Sequence, residues 1–248
     1  MHWLRYLATV TTLASTALSS LSAQNTAATA GGEVRQIVTF LFQPGRSTDA
    51  IAIYEKQLKP IYSGVASLRR FRAYREAESP EPLDLVVVST YDGMTGMDAA
   101  NEELRKPNAT GQSAFALYGA LSAMTQTHHD QFVEMLPALS DTTTAGADLT
   151  VFEYIRVTPG TQQRFPTLLF TFIRSFERER GLYAWSETGR ILVGDGWDFV
   201  RIYGIRSLGE WQRYRERMRN SPRGAELDAM ITARKTLILR RDSRLSVR

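Results

Sequence analysis

The chain of 248 residues contains no cysteine and only three histidines, His2, His128 and His129. Without cysteine it has no disulfide scaffold, no thiolate metal site and no cysteine nucleophile. His128 and His129 are adjacent; if they lie on a strand they point to opposite faces and do not chelate one ion together. Phosphate-binding glycine loops, the serine-hydrolase elbow and EF-hand ligand spacing are also missing. No apolar run beyond the N-terminus is long enough to span a bilayer. A composition of 43% hydrophobic and 23% charged residues is that of a folded chain, not a disordered one. No nucleic-acid-binding motif is present.

What is present is unevenly distributed. The formal charge of +4 conceals a split: residues 24–148 carry 10 Lys+Arg against 15 Asp+Glu, and residues 149–248 carry 19 against 11. The opposite charges of the two parts suggest long-range attraction between them. At the N-terminus, Arg5, the modestly apolar stretch Leu7–Leu21 and the small residues Ser22-Ala23 read as an export signal over residues 1–23. Ala28-Thr29-Ala30 offers a second cleavage point, and an uncleaved anchor is the alternative. Residues 24–33 read as a flexible lead-in. The protein is therefore expected to be exported, periplasmic or extracellular.

Internal repetition organises the rest. Phe42-Gln43-Pro44-Gly45 recurs as Val157-Thr158-Pro159-Gly160, and Leu83–Val88 recurs as Trp197–Ile202. Pro107 and Pro222 follow at nearly the same offset. Each copy reads β-α-β-β-α with a further helix and a last strand. In the first copy the helix Ser47–Ser63 places Ile51, Tyr54, Leu58, Ile61 and Tyr62 on one face. In the second, Phe165, Leu168, Leu169, Phe172, Ile173 and Phe176 form the stripe. Strands are predicted at Leu182–Glu187 and Trp197–Ile205, with Thr188-Gly189 and Gly194-Asp195-Gly196 as breakers between them. Asp84 and Asp198, at matching strand starts, read as turn residues that satisfy backbone amides. The predicted fold class is α+β: two tandem ferredoxin-like units with antiparallel sheets stacked face to face as an intrachain α/β barrel. The units occupy residues 34–136 and 149–241, joined by a linker at 137–148 and followed by a tail at 242–248.

The second copy resembles the NIPSNAP and antibiotic-biosynthesis-monooxygenase group of dimeric α/β-barrel domains. The resemblance rests on Phe152-Glu153-Tyr154 leading to Thr158-Pro159-Gly160, on Trp185-Ser186-Glu187-Thr188-Gly189, and on Ser207-Leu208-Gly209-Glu210-Trp211. The first copy is similar mainly through Gln43-Pro44-Gly45 and the strand ending at Tyr91. Families of this group include cofactor-free oxygenases, haem-degrading enzymes, isomerases and proteins without established chemistry, so the resemblance implies fold more than function. Two-unit chlorite dismutases use a histidine in the C-terminal unit. No histidine follows His129, and no cofactor or metal is expected.

Pairing the copies assigns strand faces. Val86, Val88, Val200 and Ile202 are read as facing the helices. Phe152, Tyr154, Arg156, Phe199, Arg201 and Tyr203 would then face the inter-sheet space, where the first copy presents a mostly apolar surface. The expected ligand site is therefore Tyr154, Arg156, Trp185, Arg201 and Tyr203, with the arginines holding an anionic group of a small aromatic or apolar ligand. Pairing of those arginines with carboxylates of the other copy, or their exposure at a barrel mouth, is the alternative. His129 is the candidate base. The arginines 213, 215, 217, 219 and 223 read as a solvated face or as a contact with an anionic membrane surface. Asn108-Ala109-Thr110 is a glycosylation sequon only in a eukaryotic secretory pathway. The leading expectation is an exported small-molecule-binding protein, monomer or homodimer. A cofactor-independent oxygenase or isomerase and a packed structural or interaction protein are the alternatives, so whether the chain is an enzyme stays open.

Overall fold

A computed structural model describes residues 32–108, 111–141, 146–173 and 183–247. The expected leader and most of the lead-in, the last two residues of the Asn108 sequon, linker residues 142–145 and the stretch carrying Phe176 lie outside the described residues.

Eight strands carry the architecture: β1 (Glu33–Phe42), β2 (Leu68–Glu78), β3 (Leu85–Asp92), β4 (Thr125–Met135), β5 (Leu149–Val157), β6 (Trp185–Val193), β7 (Phe199–Ile205) and β8 (Ile231–Arg241). Helices α1 (Ser47–Ile53) and α2 (Lys59–Gly64) are joined by a π-helical turn at Tyr54–Leu58. They are followed by α3 (Gly93–Arg105), α4 (Ala114–Ser122), α5 (Arg164–Phe172), α6 (Leu208–Arg219) and α7 (Pro222–Ala229). Helix starts follow local chemistry. The hydroxyls of Ser113, Ser207 and Ser221 accept hydrogen bonds from the amides of Ala116, Glu210 and Gly224, respectively, satisfying first-turn donors. Pro222 sits in the first turn of α7, where its missing N–H costs nothing.

The strands form one closed antiparallel barrel in the order β1-β3-β2-β8-β5-β7-β6-β4. The first four strands are contiguous as β4-β1-β3-β2 and the last four as β8-β5-β7-β6. The walls face one another, and their edges are also joined: Tyr74 pairs with Arg241 on the β2–β8 seam, and Met135 with Gly189 on the β4–β6 seam. Three apolar layers result. Ile37, Tyr74, Val86, Val88, Phe152, Tyr154, Val200, Ile202 and Leu239 are among the side chains that fill the barrel interior. A second layer lies between the first-half strands and α1–α4, and a third between the second-half strands and α5–α7. Among the described residues no helix is long and apolar enough to cross a membrane.

The β5 face follows the sequence expectation, with Phe152 and Tyr154 inward, and Ile37 of β1 points into the same interior. The β3 and β7 faces are the reverse of it. Val86, Val88, Val200 and Ile202 point into the barrel, while Leu85, Val87, Phe199 and Tyr203 face the helices. Every residue from Leu85 to Tyr91 and from Phe199 to Ile205 is buried, because these strands have the barrel core on one side and a helix layer on the other. Alternation then carries no polarity signal, and a one-residue choice inverts every side chain. The inward surface of the first half is also not mostly apolar, since Arg35, Arg70 and Arg72 line one end of the barrel. Finally, Thr188-Gly189 is not a break, because β6 runs through it.

Gly189 explains why. A Cβ there would lie 2.2 Å from Val133 Cγ1, so the absence of a side chain lets β6 close against β4. Gly204 has the same role under Trp185, whose Nε1 would lie 2.3 Å from an added Cβ. Glu187 forms a bidentate pair with Arg35 across the barrel, at 2.7 and 2.9 Å. The run Trp185–Gly189 is therefore built for barrel closure. Asp84 and Asp198 act as expected: their carboxylates accept from the amides of Phe42 and Val157, each at 2.8 Å.

Candidate functional site

A cavity of about 360 Å³ lies between the outer face of the first-half strands and the helices over it. Its size suits a small organic ligand. Val38, Phe40, Val87, Leu104 and Leu121 form apolar walls, and Tyr54, Tyr62, Tyr91 and Tyr118 line it with phenols. The π-helical turn aims two of these rings. The Lys59 amide donates to the Tyr54 carbonyl, an i to i+5 bond that inserts one residue into the helix between Tyr54 and Tyr62, both buried. Such turns recur at functional sites. The Tyr62 and Tyr118 hydroxyls share a short hydrogen bond. Burial pushes the Tyr54 and Tyr62 hydroxyls well above the ordinary phenol range, and the neighbouring Tyr118 adds to both shifts. Burial also raises Tyr91 and Tyr118; hydrogen bonds from Ser89 and Tyr62, respectively, oppose this.

The rim is polar. His128 Nε2 lies 3.5 Å from Asp130 Oδ2, and the Gln36 amide donates to the other Asp130 oxygen at 2.9 Å. The His128 ring stacks on Phe40, with centroids 6.2 Å apart. The neighbouring carboxylate and the stack on Phe40 set the ring's orientation at the opening. The arrangement can accept a phenolic or carbonyl-bearing aromatic: π faces for the ring, hydroxyls for its oxygen, and one imidazole at the opening.

The sequence-predicted site residues do not form one site, although Arg201 lies over the Tyr203 ring at 5.4 Å. Tyr154 is inside the barrel, its hydroxyl toward Thr39 and its phenol raised above the ordinary range by burial and by the charge of Asp195. Trp185 packs on the same interior cluster. Arg156 is exposed, donates to the Gly196 carbonyl at 2.7 Å and lies over the Trp197 ring at 5.2 Å. Arg201 and Tyr203 are on the opposite face of the sheet, under α6. There Arg201 donates to the Tyr214 hydroxyl at 3.1 Å and lies 3.8 Å from Glu153, while Tyr203 accepts from the Trp211 indole at 3.2 Å. Glu153 also meets Arg234, which reaches Asp228 at 2.7 Å. Arg201 is thus met by a carboxylate of its own half, on β5, and not by one from the other copy as the sequence alternative had it. His129 turns to the barrel mouth, where Nδ1 lies 2.9 Å from Asp195, while its neighbour His128 faces the cavity. Among the described residues no group of three or more His, Asp or Glu could hold a metal.

The cavity residues Gln36, Tyr118 and Asp130 were not singled out by sequence reasoning, Tyr91 was read only as the end of a strand, and Tyr54 and Tyr62 only as a core stripe. One available signal was on β4, where His128 and Asp130 share a face with Phe132, which packs against the helix layer. Polar residues on a helix-covered face require a reason.

Neither any protein-family model nor any curated protein sequence matches the chain. Solved structures do. A chlorite dismutase variant from Candidatus Nitrospira defluvii is similar over 88% of this chain and 93% of its own, with a TM-score of 0.59 and 10% identity. An anthrone oxidase-like protein matches over 85% and 91%, with a TM-score of 0.54 and 12% identity. A haem-binding protein from Thermus thermophilus matches over 86% and 92%, with a TM-score of 0.55 and 13% identity. The chain has the dimeric α/β-barrel fold. At these identities the likeness is one of fold.

The haem named for the last of these calls for an axial imidazole, thiolate, thioether or phenolate. Among the described residues the cavity offers one imidazole, His128, stacked on Phe40 at the exposed rim. Its phenols are held protonated by burial, which opposes the phenolate that iron requires. The residues present do not fit an axially held haem.

Proposed function

We propose that this chain is an exported small-molecule-binding protein of the dimeric α/β-barrel type, made of two tandem NIPSNAP-like units, with its ligand seat in the first unit. The observation that carries the reading is the tyrosine-lined cavity of about 360 Å³ between strands and helices. The duplication is supported by matched details. Gly45 and Gly160 both adopt positive φ, at 79° and 87°, in the two Pro-Gly turns. The amides of Gln43 and Thr158 each donate at 2.8 Å to a carbonyl just before the last strand of their half, those of Met124 and Met230. Export rests on the leader sequence alone. An anionic-surface contact through the arginines of α6 and a homodimeric state belong to the same reading.

The ligand class that fits is a small, largely apolar aromatic carrying a hydroxyl or carbonyl. 2-Naphthol is a suitable probe: the wild-type protein should bind it, and Leu121→Trp, which fills the cavity from its wall, should weaken binding at least tenfold with the far-UV spectrum intact. Equal affinity in the two proteins would remove the cavity as the seat. Native mass spectrometry of the purified protein should in addition reveal any retained ligand.

A second reading, a cofactor-independent oxygenase or isomerase, is favoured by the His128–Asp130 pair at the rim. There His128 rather than His129 would take a proton from a bound phenol. Turnover of a phenolic substrate that His128→Gln abolishes, with binding unchanged, separates this reading from simple binding.

A further inference from the structure

At the opposite end of the barrel from His129, three guanidinium groups converge. Arg35, on β1, is buried and fully paired. Two of its nitrogens hold both oxygens of Glu187, and Nε donates to Glu33 at 2.8 Å. Arg70 and Arg72 come from β2 and line the same enclosed space with Tyr74, Val88, Thr90, Phe152 and Ile202. Both act on Glu187 by charge, although its oxygens are already engaged by Arg35. The cluster therefore holds three positive and two negative groups. Arg72 Nε is buried with no hydrogen-bond partner among the described residues. Leaving such a donor unsatisfied, in a site with uncompensated charge, is costly.

The centre of a water-sized sphere can range over about 10 Å³ between these groups, room for one small ion and not for an organic anion. A water molecule would satisfy a donor but leave the net positive charge. We infer that this end of the barrel binds one monatomic anion of halide size, chloride being the abundant one, held by Arg72 Nε and the charges of Arg70 and Arg35. The site is separate from the tyrosine-lined cavity, which lies outside the barrel wall. Its effect would be on the fold: an anion here ties β1, β2 and β6 together, with β6 contributed by the second half through Glu187. The electropositive character of the site also appears in Arg70, which burial and the charges of Arg72 and Arg35 hold below the ordinary arginine range.

The test uses the full chain at constant ionic strength, with sodium chloride exchanged against sodium gluconate, whose anion is too large for the space. The melting temperature should rise by about 2–4 °C in chloride, as expected for a ligand that binds only the folded state. Bromide should act as chloride does. Arg72→Gln should abolish the difference, whereas Arg190→Gln, which removes an exposed charge, should preserve it. Equal melting temperatures of the wild-type protein in the two salts, or a chloride shift retained in full by Arg72→Gln, would overturn the inference. If Arg72→Gln does not fold, the ³⁵Cl resonance decides: the wild-type protein should broaden it in excess, and bromide should reverse the broadening. No excess broadening overturns the proposal.

Discussion

At the scale of single residues, the phenols of the first half have a consequence for stability against pH. Tyr54, Tyr62, Tyr91 and Tyr118, joined by Tyr154 of the second half, all hold their protons more tightly than a free phenol, chiefly through burial. A free phenol ionises near pH 10, as these do in the unfolded chain. Above that pH the unfolded state has lost protons that the folded state retains. The stability these groups confer is therefore complete below about pH 10 and is lost as the pH rises toward their folded-state values. Absorbance near 295 nm should show them ionising late and together with unfolding. Ionisation of all five near pH 10 with the fold intact would contradict this burial. The same scale shows what sequence could and could not reveal. Asp84 and Asp198 were legible as amide acceptors because their chemistry is local. Arg201 was placed on the wrong face because the strand around it is apolar on both sides, and only the helix layer decides which side carries Tyr214.

At the scale of elements, β7 was legible to within two residues and the helical run from Ser47 to within one, since stripes and turn residues are local properties. The π-helical turn at Tyr54–Leu58 was not, because an inserted residue leaves little trace in a 3.6-residue pattern of mostly apolar side chains. β6 was cut short for a different reason. Glycine in a strand reads as a break unless the neighbouring backbone is known, and the neighbour, Val133 on β4, is more than fifty residues earlier. Gly189→Val puts the lesson to a measurement. Its side chain would have to displace Val133, the Glu134 carbonyl and Met135, all within 3.0 Å of the new Cβ. Overpacking of this kind costs about 1–3 kcal/mol. Urea unfolding should report a loss of that order, and an unchanged midpoint would mean that the seam is looser than described. A glycine-to-valine change at Gly146, whose Cβ would meet nothing within 4 Å, is the control.

At the scale of the whole molecule, the charge split between the halves reads differently once the contacts are known. The deepest ion pair joining them, Arg35 with Glu187, takes its cation from the acidic half and its anion from the basic one. Glu81 with Lys235, at the exposed opposite end, follows the net charges. What binds the halves most is the shared interior, in which Ile37, Val86 and Val88 of the first pack with Phe152, Val200 and Ile202 of the second. Neither half can open without exposing that layer, so residues 32–247 should unfold as one cooperative unit. The tryptophans beyond Trp3, namely Trp185, Trp197 and Trp211, all lie in the second half, so their fluorescence follows that half while far-UV circular dichroism follows both. The two urea curves should coincide; separated midpoints would show that the halves melt independently. Closure of the barrel has one more consequence, for how copies of the chain meet each other. Among the described residues every strand has a neighbour on both sides, so none of these strands leaves a row of backbone donors to template a further strand. Runaway strand-on-strand stacking into fibres is blocked at its first step, and any lasting pair of molecules has to be held by side chains on the helical exterior.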